Sequence, residues 1–452
     1  MPADRKGLSR DVAQALCNRV LALSKADEAR VNLSSGWRGY TRVATNRITS
    51  AGGSENISIN ITSVFGKRQA SVSTTEIDDV SIEAAVRESE RLAQLAPESP
   101  ERMPELGPQQ YGEVNAYYDS TGAMTTQARA EAAAAGIKNA QDAGLFVAAG
   151  YMDAIAGADA IANSAGLFAY HPQTSVASTL TVRAPDSLSS GWAGDEANDW
   201  TQIESERIAR IASEKASAWR GATELEPGKY TCILEPTAVG MLMLRLAFDL
   251  NARPADEGRS YFGKPGGGNR IGESVFDSRV TLLSDPARPD AETAPFTDEG
   301  QPVARTVWVD KGVLTDLAYS RYWADKQGRT ALPGPSNLIL EGGSDSLENM
   351  IASTERGVLI TRFWYIRGLN PRTIAYTGLT RDGTFLIENG KIARPVKNFR
   401  FNQSIAEMLK NVEMIGSATR VAAGEDSSAG MPIVVPALKV RDFGLASVSD
   451  AI

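Results

Sequence analysis

The chain has 452 residues, 42% of them hydrophobic and 23% charged, with a formal net charge of −8. That length exceeds one core and predicts two to three domains, while no apolar run is long enough to span a bilayer and the acidic balance disfavours a nucleic-acid partner. One histidine, His171, in the whole chain leaves too little for a histidine-ligated zinc site or much of hydrolase chemistry.

Met1 to Arg10 is polar and leads into an amphipathic segment without a signal-peptide core, so the chain is expected to be soluble and cytoplasmic. Ser9 has the character of an N-cap, and Val12, Ala13, Leu16, Val20 and Leu23 recur at helical spacing behind it. Antiparallel strands follow at Ala29–Leu33, Gly39–Val43, Ile57–Ile61 and Ala70–Thr74, the last entered through the turn Phe65-Gly66-Lys67-Arg68. A second helix runs from about Ser81 to Leu95, and Pro97, Pro100, Pro104 and Pro108 then mark a linker. Cys17 and Cys232 fall on a buried helix and a buried strand, where thiols act as small apolar groups and no disulfide is expected.

An alanine-rich helix from about Thr126 to Ala143 opens the next unit, followed by strands at Phe146–Met152, Ala160–Asn163 and Ser175–Val182 and a helix at Asp199–Trp219. The main boundary is placed near Ala222. Beyond it the pattern is β-rich, with a strand at Tyr230–Leu234, an apolar helix at Met241–Leu250 and a late amphipathic helix at Gln403–Val412. Asp310-Lys311-Gly312 and Asn389-Gly390 punctuate two tight hairpins, because aspartate, asparagine and glycine tolerate positive φ. The expected class is α+β: an N-terminal helix and antiparallel-sheet domain (1–96), a linker (97–110), a central α+β domain (111–222) and a β-rich C-terminal domain (223–452).

Three constellations invite chemistry. Lys264-Pro265-Gly266-Gly267-Gly268-Asn269-Arg270 is glycine-rich, yet it lacks Gly-Lys-Ser/Thr at the spacing of a phosphate loop and reads as a flexible or ligand-contacting loop. His171 precedes Pro172 and is expected at a strand end, where a dyad with Ser164 or Ser175 competes with a structural role. Asp249, Asp256, Glu257, Asp277 and Asp285 could gather oxygens for Mg²⁺ or Ca²⁺, although they follow no ligand-loop signature and solvated surface charge is the default.

Several segments of the C-terminal half occur in a recognisable order: Pro295-Phe296-Thr297-Asp298-Glu299-Gly300, Val309-Asp310-Lys311-Gly312-Val313-Leu314 and Ser320-Arg321-Tyr322, then Ser346-Leu347-Glu348-Asn349-Met350, and finally Phe385-Leu386-Ile387-Glu388-Asn389-Gly390. In these the chain resembles the TldD/PmbA family of cytoplasmic metalloproteases. Active members carry histidine, glutamate, three residues and histidine on one helix, with a cysteine further on as third zinc ligand. Aligned on Gly240, this sequence places Leu244 and Asp249 at the histidines and Arg245 at the glutamate, and Arg381 falls near the third ligand. Leucine and arginine do not ligate zinc, and a guanidinium does not take a proton from water at neutral pH.

The pattern is similar to the PmbA branch, also called TldE, whose members pair with a zinc-bearing TldD subunit. By that resemblance the chain holds no zinc and no catalytic residue of its own, lines a cavity for unfolded or short peptides, and leaves zinc and bond cleavage to a TldD-like paralogue. The alternatives are a homodimeric peptide-binding protein without proteolysis, and a self-sufficient hydrolase using His171 or a carboxylate metal site. Arg245 and Asp249, four apart on the helix, are expected to pair with each other.

Overall fold

The computed structural model describes residues 5–144, 146–185, 188–425 and 430–449; Met1–Asp4, within the stretch read for a leader, lie outside them. The first helix, α1 (Arg10–Leu23), begins where Ser9 Oγ accepts the Val12 amide and buries Ala13, Leu16, Cys17 and Val20. Strands β1 (Glu28–Ala44), β2 (Arg47–Phe65) and β3 (Arg68–Thr74) follow, then α2 (Asp79–Leu95), capped by Asp78. The short α3 (Asp119–Gly122), α4 (Thr126–Asp142), β4 (Val147–Asn163), β5 (Phe168–Arg183), β6 (Ser190–Ala197) and α5 (Ser205–Ala218) complete this half.

All six strands join one antiparallel sheet in the order β3-β2-β1-β4-β5-β6. Strands on either side of the proline-rich stretch 97–110 therefore share a sheet, with β1 and β4 paired from Arg30↔Asn163 to Val43↔Gly150. The stretch drawn as a linker is a covalent connection but not a division of the sheet. Side chains from α1 and α2 pack over Val31, Leu33, Ile59 and Ile61 at one end of the sheet, and those of α4 and α5 over Ala154, Ala156, Val176 and Leu180 at the other.

The strands are longer than the sequence indicated. Ser34-Ser35-Gly36 looks like a break, yet β1 runs through it with strict alternation of buried and less buried positions. Gly36 fits because its backbone lies close to β4: a Cβ there would stand 2.4 Å from the Ala156 carbonyl oxygen. His171 is likewise not at a strand end. It lies inside β5 opposite Asp159, and Pro172 is tolerated because β6 pairs only from Val176 onwards.

The C-terminal half comprises β7 (Gly228–Leu234), α6 (Pro236–Asp249), α7 (Ala252–Asp256), β8 (Leu282–Ser284), β9 (Thr306–Asp310), β10 (Val313–Leu314), α8 (Arg321–Gln327) and β11 (Leu338–Leu340), followed by α9 (Leu347–Ala352), β12 (Arg356–Asn370), β13 (Ala375–Glu388) and β14 (Lys391–Pro395). It ends with β15 (Asn398–Ser404), α10 (Ile405–Lys410), β16 (Val412–Ile415), β17 (Thr419–Val421), β18 (Ile433–Val435) and β19 (Leu438–Ser449). One sheet runs β10-β9-β8-β11-β18-β17; the other runs β12-β7-β19-β15-β13-β14, and β12 pairs also with β13, so that five of its strands close on themselves. Helix α6 lies between the two sheets, with Val239, Leu242, Met243 and Leu246 in the core they share. Both expected hairpins form, with Lys311 and Gly312 at φ 45° and 81° and Asn389 and Gly390 at φ 52° and 73°. Among the described residues no helix is long and apolar enough to cross a membrane.

Candidate functional site

Helix α6 starts at Pro236, a residue suited to a first turn because its missing N–H costs nothing there. Gly240 lets the helix approach β17, since a Cβ at that position would stand 2.5 Å from Val421 Cγ2. The chain leaving β17 is thereby held against the last turns of α6. On the other side lies β12, whose pairing with β13 shifts register between Trp364 and Arg367. Tyr365 at φ 55° produces this bulge and turns the Ile366 N–H out of the ladder.

Into this corner α6 projects the residues that the sequence singled out. Leu244 packs against the core. Arg245 is half-buried, and its Nη2 donates to Glu425 Oε1 at 3.2 Å, while Glu425 also accepts the Ile366 N–H at 2.8 Å and pairs with Arg367 at 3.4 Å. Asp249 Oδ2 accepts the Tyr376 hydroxyl at 2.8 Å. Burial raises the Asp249 pKa and the tyrosine hydrogen bond opposes that, while burial and the neighbouring carboxylate together raise Tyr376. The expected Arg245–Asp249 ion pair does not form. Each side chain finds a closer partner from another segment, and helical spacing permits a pair without compelling one.

Arg381 stands opposite Arg362 on the β12–β13 ladder, five residues beyond Tyr376 and so roughly 15 Å along the strand. Its guanidinium lies over Trp364 and its Nε is 3.8 Å from Asp382. Taken as a donor set, an apolar side chain, two guanidiniums and one carboxylate bonded to tyrosine do not fit a zinc ion. Glu425, Tyr376, Arg367 and Arg362 were invisible to sequence reasoning. Glu425 lies 180 positions from Arg245 and belongs to no periodic segment.

The other candidates are dispersed. Asp256 accepts from Asn269 and Trp323, Glu257 pairs with Arg253 and Arg259, and Asp277 with Arg279. Among the described residues no three His, Cys, Asp or Glu side chains gather to hold a metal. The glycine-rich stretch closes on itself through the Lys264 amide and the Gly268 carbonyl and opens no helix, so the phosphate-loop reading has no structural context. Ser164 Oγ accepts the Ala29 amide, whereas His171 Nε2 is buried without a partner, so these two do not form a dyad.

Burial pushes the His171 pKa down to about 4. Between that value and the ordinary one near 6.5, the unfolded chain binds a proton that the folded chain refuses, so stability falls as pH is lowered through this window. We expect acid to cost roughly 3 kcal/mol more in the wild type than in His171→Leu by the lower end of the window, from about 1.4 kcal/mol per pKa unit. Denaturant melts of both proteins at pH 7, 5.5 and 4 check this; parallel losses would show that His171 is not the responsible group.

Residues 75–218 match the PmbA/TldA metallopeptidase central domain and residues 227–447 the PmbA/TldA metallopeptidase C-terminal domain. The chain belongs to the PmbA/TldD family. A metalloprotease of Methanothermobacter thermautotrophicus is 27% identical over 259 residues, covering 52% of this chain and 54% of that protein. One from Archaeoglobus fulgidus is 29% identical over 179 residues, covering 37% and 41%. The chain thus spans about half or less of these curated relatives. The PmbA/TldD fold extends further than sequence identity does: TldE from Thermococcus kodakarensis superposes with a TM-score of 0.84 at 18% identity over 96% of this chain and 99% of that one. A candidate DNA gyrase modulator from Thermotoga maritima gives 0.83 at 19% over 96% and 100%. At such identities these two structures speak for the fold alone.

Proposed function

We propose that this chain is a non-catalytic, TldE-like subunit of a heteromeric metalloprotease, acting on unfolded or short peptides with a zinc-bearing TldD-like paralogue. The observation that carries the reading is the corner of α6, where Arg245 bonds Glu425 and Asp249 bonds Tyr376 at positions that the family resemblance assigns to a metal and its base. Membership of the family supplies the reaction class, and the PmbA/TldD fold supplies the shell. In the assembly the partner would supply zinc, the activated water and the general base. The protein would work in the cytoplasm, without nucleic acid or membrane.

The test is reconstitution. The purified chain alone should leave an unstructured peptide intact, and cleavage should appear on mixing with a paralogue that carries the two-histidine motif. Chelator should silence the mixture, and changing the partner's glutamate should lower the rate by about a hundredfold or more. His171→Ala in this chain should leave the rate largely unchanged. Chelator-insensitive cleavage by the single chain, lost in His171→Ala, would overturn the proposal in favour of a self-sufficient hydrolase; a chain that binds peptide but activates no paralogue would leave the homodimeric binder.

A further inference from the structure

We infer that the corner between α6 and the β12 bulge is a carboxylate-receiving site whose ligand is the carboxylate of a peptide, and that Glu425 of the same chain fills it in this structure. Three donors from separate places converge on one carboxylate: the Arg245 guanidinium at 3.2 Å, the Ile366 N–H at 2.8 Å and the Arg367 guanidinium at 3.4 Å. Two charged donors and a backbone N–H released from its ladder are the means by which proteins hold carboxylates tightly. The receiving half is not saturated, because Arg245 Nε is buried without a partner. It is also within reach of solute, since the Arg367 side chain is 51% exposed and that of Glu425 19%.

The surroundings suit a peptide better than a bare anion. Phe248, one helical turn beyond Arg245, is 72% exposed, and Tyr365 and Leu369, two positions either side of Arg367, are 53% and 55% exposed. Arg367 stacks on Tyr365 at 4.0 Å. Large side chains left in water around a charged centre would gain by covering the apolar residues of a peptide whose carboxylate sits between the arginines. Asp249, one turn beyond Arg245 on α6, adds negative charge beside the corner and disfavours a dianion such as phosphate, which leaves a singly charged carboxylate as the better match. Glu425 then competes with the ligand, and peptide binding requires its carboxylate to be displaced. The inference shares with the proposed function only the premise that peptides reach this cleft.

The test uses the full chain alone, with no partner, so that its failure leaves the reconstitution experiment untouched. Fluorescence anisotropy would compare a short fluorescein-labelled peptide ending in leucine, as free acid and as amide, with an amidated peptide carrying an internal glutamate. Glu425→Gln should bind the free acid about tenfold more tightly than the wild type, which is what a charged hydrogen bond of about 1.5 kcal/mol gives. Adding Arg367→Gln, an exposed position whose change leaves the fold alone, should abolish that gain. Preference for the free acid over the amide assigns the site to the chain terminus, and tight binding of the amidated acidic peptide assigns it to a side-chain carboxylate. Equal binding of all three peptides by Glu425→Gln, or no gain over the wild type, would overturn the inference.

Discussion

Replacing Arg420 by alanine is expected to cost about 3–5 kcal/mol of stability, the range found when one partner of a buried ion pair is removed. Arg420 lies on β17 in the C-terminal half and reaches Glu196 on β6 of the N-terminal sheet at 3.0 Å, with side-chain exposures of 8% and 3%. The same guanidinium donates to Asn198 Oδ1 and to the Asp290 carbonyl. Its loss would strand a carboxylate between the two halves of the molecule. Burial already raises the Glu196 pKa, and Arg420 is the main force opposing that rise. In Arg420→Ala the folded protein therefore keeps a proton on Glu196 above the ordinary carboxylate range, where the unfolded chain has released it, so stability falls as pH rises. The penalty should be larger at pH 8 than at pH 5. Arg420→Met combined with Glu196→Gln should recover most of it, and denaturant midpoints at the two pH values measure both effects. A loss independent of pH, or unrelieved in the double variant, would show that the pair does not govern the junction.

Such a junction shows what the sequence could and could not disclose. Local chemistry was legible: Ser9 caps α1, and the Asp310-Lys311-Gly312 and Asn389-Gly390 turns form with Gly312, Asn389 and Gly390 at positive φ that they accept readily, although Lys311 rather than Asp310 takes the other positive φ of the first turn. The α+β class followed from the same kind of local pattern. What failed was continuity. Ser34-Ser35-Gly36 and Pro172 look like breaks along the chain, but neighbouring strands decide whether a small residue or a missing N–H is tolerated, and here they tolerate both. The extent of β12 and β13 was hidden for a related reason: arginines at 362, 367 and 381 look like solvated charge until Asp382 and Glu425 are known to face them.

The candidate site divides in the same way. The positions of Leu244, Arg245 and Asp249 on one helix were readable from spacing. Their partners were not, because Glu425 and Tyr376 arrive from segments distant in sequence. A helical i,i+4 pair contributes only about 0.3–0.5 kcal/mol, too little to hold Arg245 on Asp249 against a carboxylate already fixed by a backbone N–H. The tertiary partner wins by being held in place.

Replacing Asp382 by alanine should produce a loss of similar size, about 3–5 kcal/mol, but without that dependence on pH. Asp382 is 2% exposed, pairs with Arg362 Nη1 at 3.3 Å, itself 6% exposed, and accepts the Ser190 hydroxyl of β6 at 2.7 Å. Arg362 lies over Trp192 at 4.3 Å, so the group left behind is a guanidinium enclosed by an indole and a sheet. Burial pushes the Arg362 pKa down to about 10, with Asp382 the chief opposing charge. Even so, arginine keeps its proton inside proteins, so removal of Asp382 leaves a desolvated, unpaired cation. Folded and unfolded chains then hold the same proton between pH 5 and pH 8, so this group adds no slope of stability against pH there. The penalty in Asp382→Ala should stay level from pH 5 to pH 8, whereas the penalty in Arg420→Ala should grow as pH rises through that range. Denaturant melts across that range separate a stranded cation from a stranded anion. General loosening of the contact between the N-terminal sheet and the C-terminal half would give both variants the same dependence on pH, and that result would count against both pairs as the source of the loss.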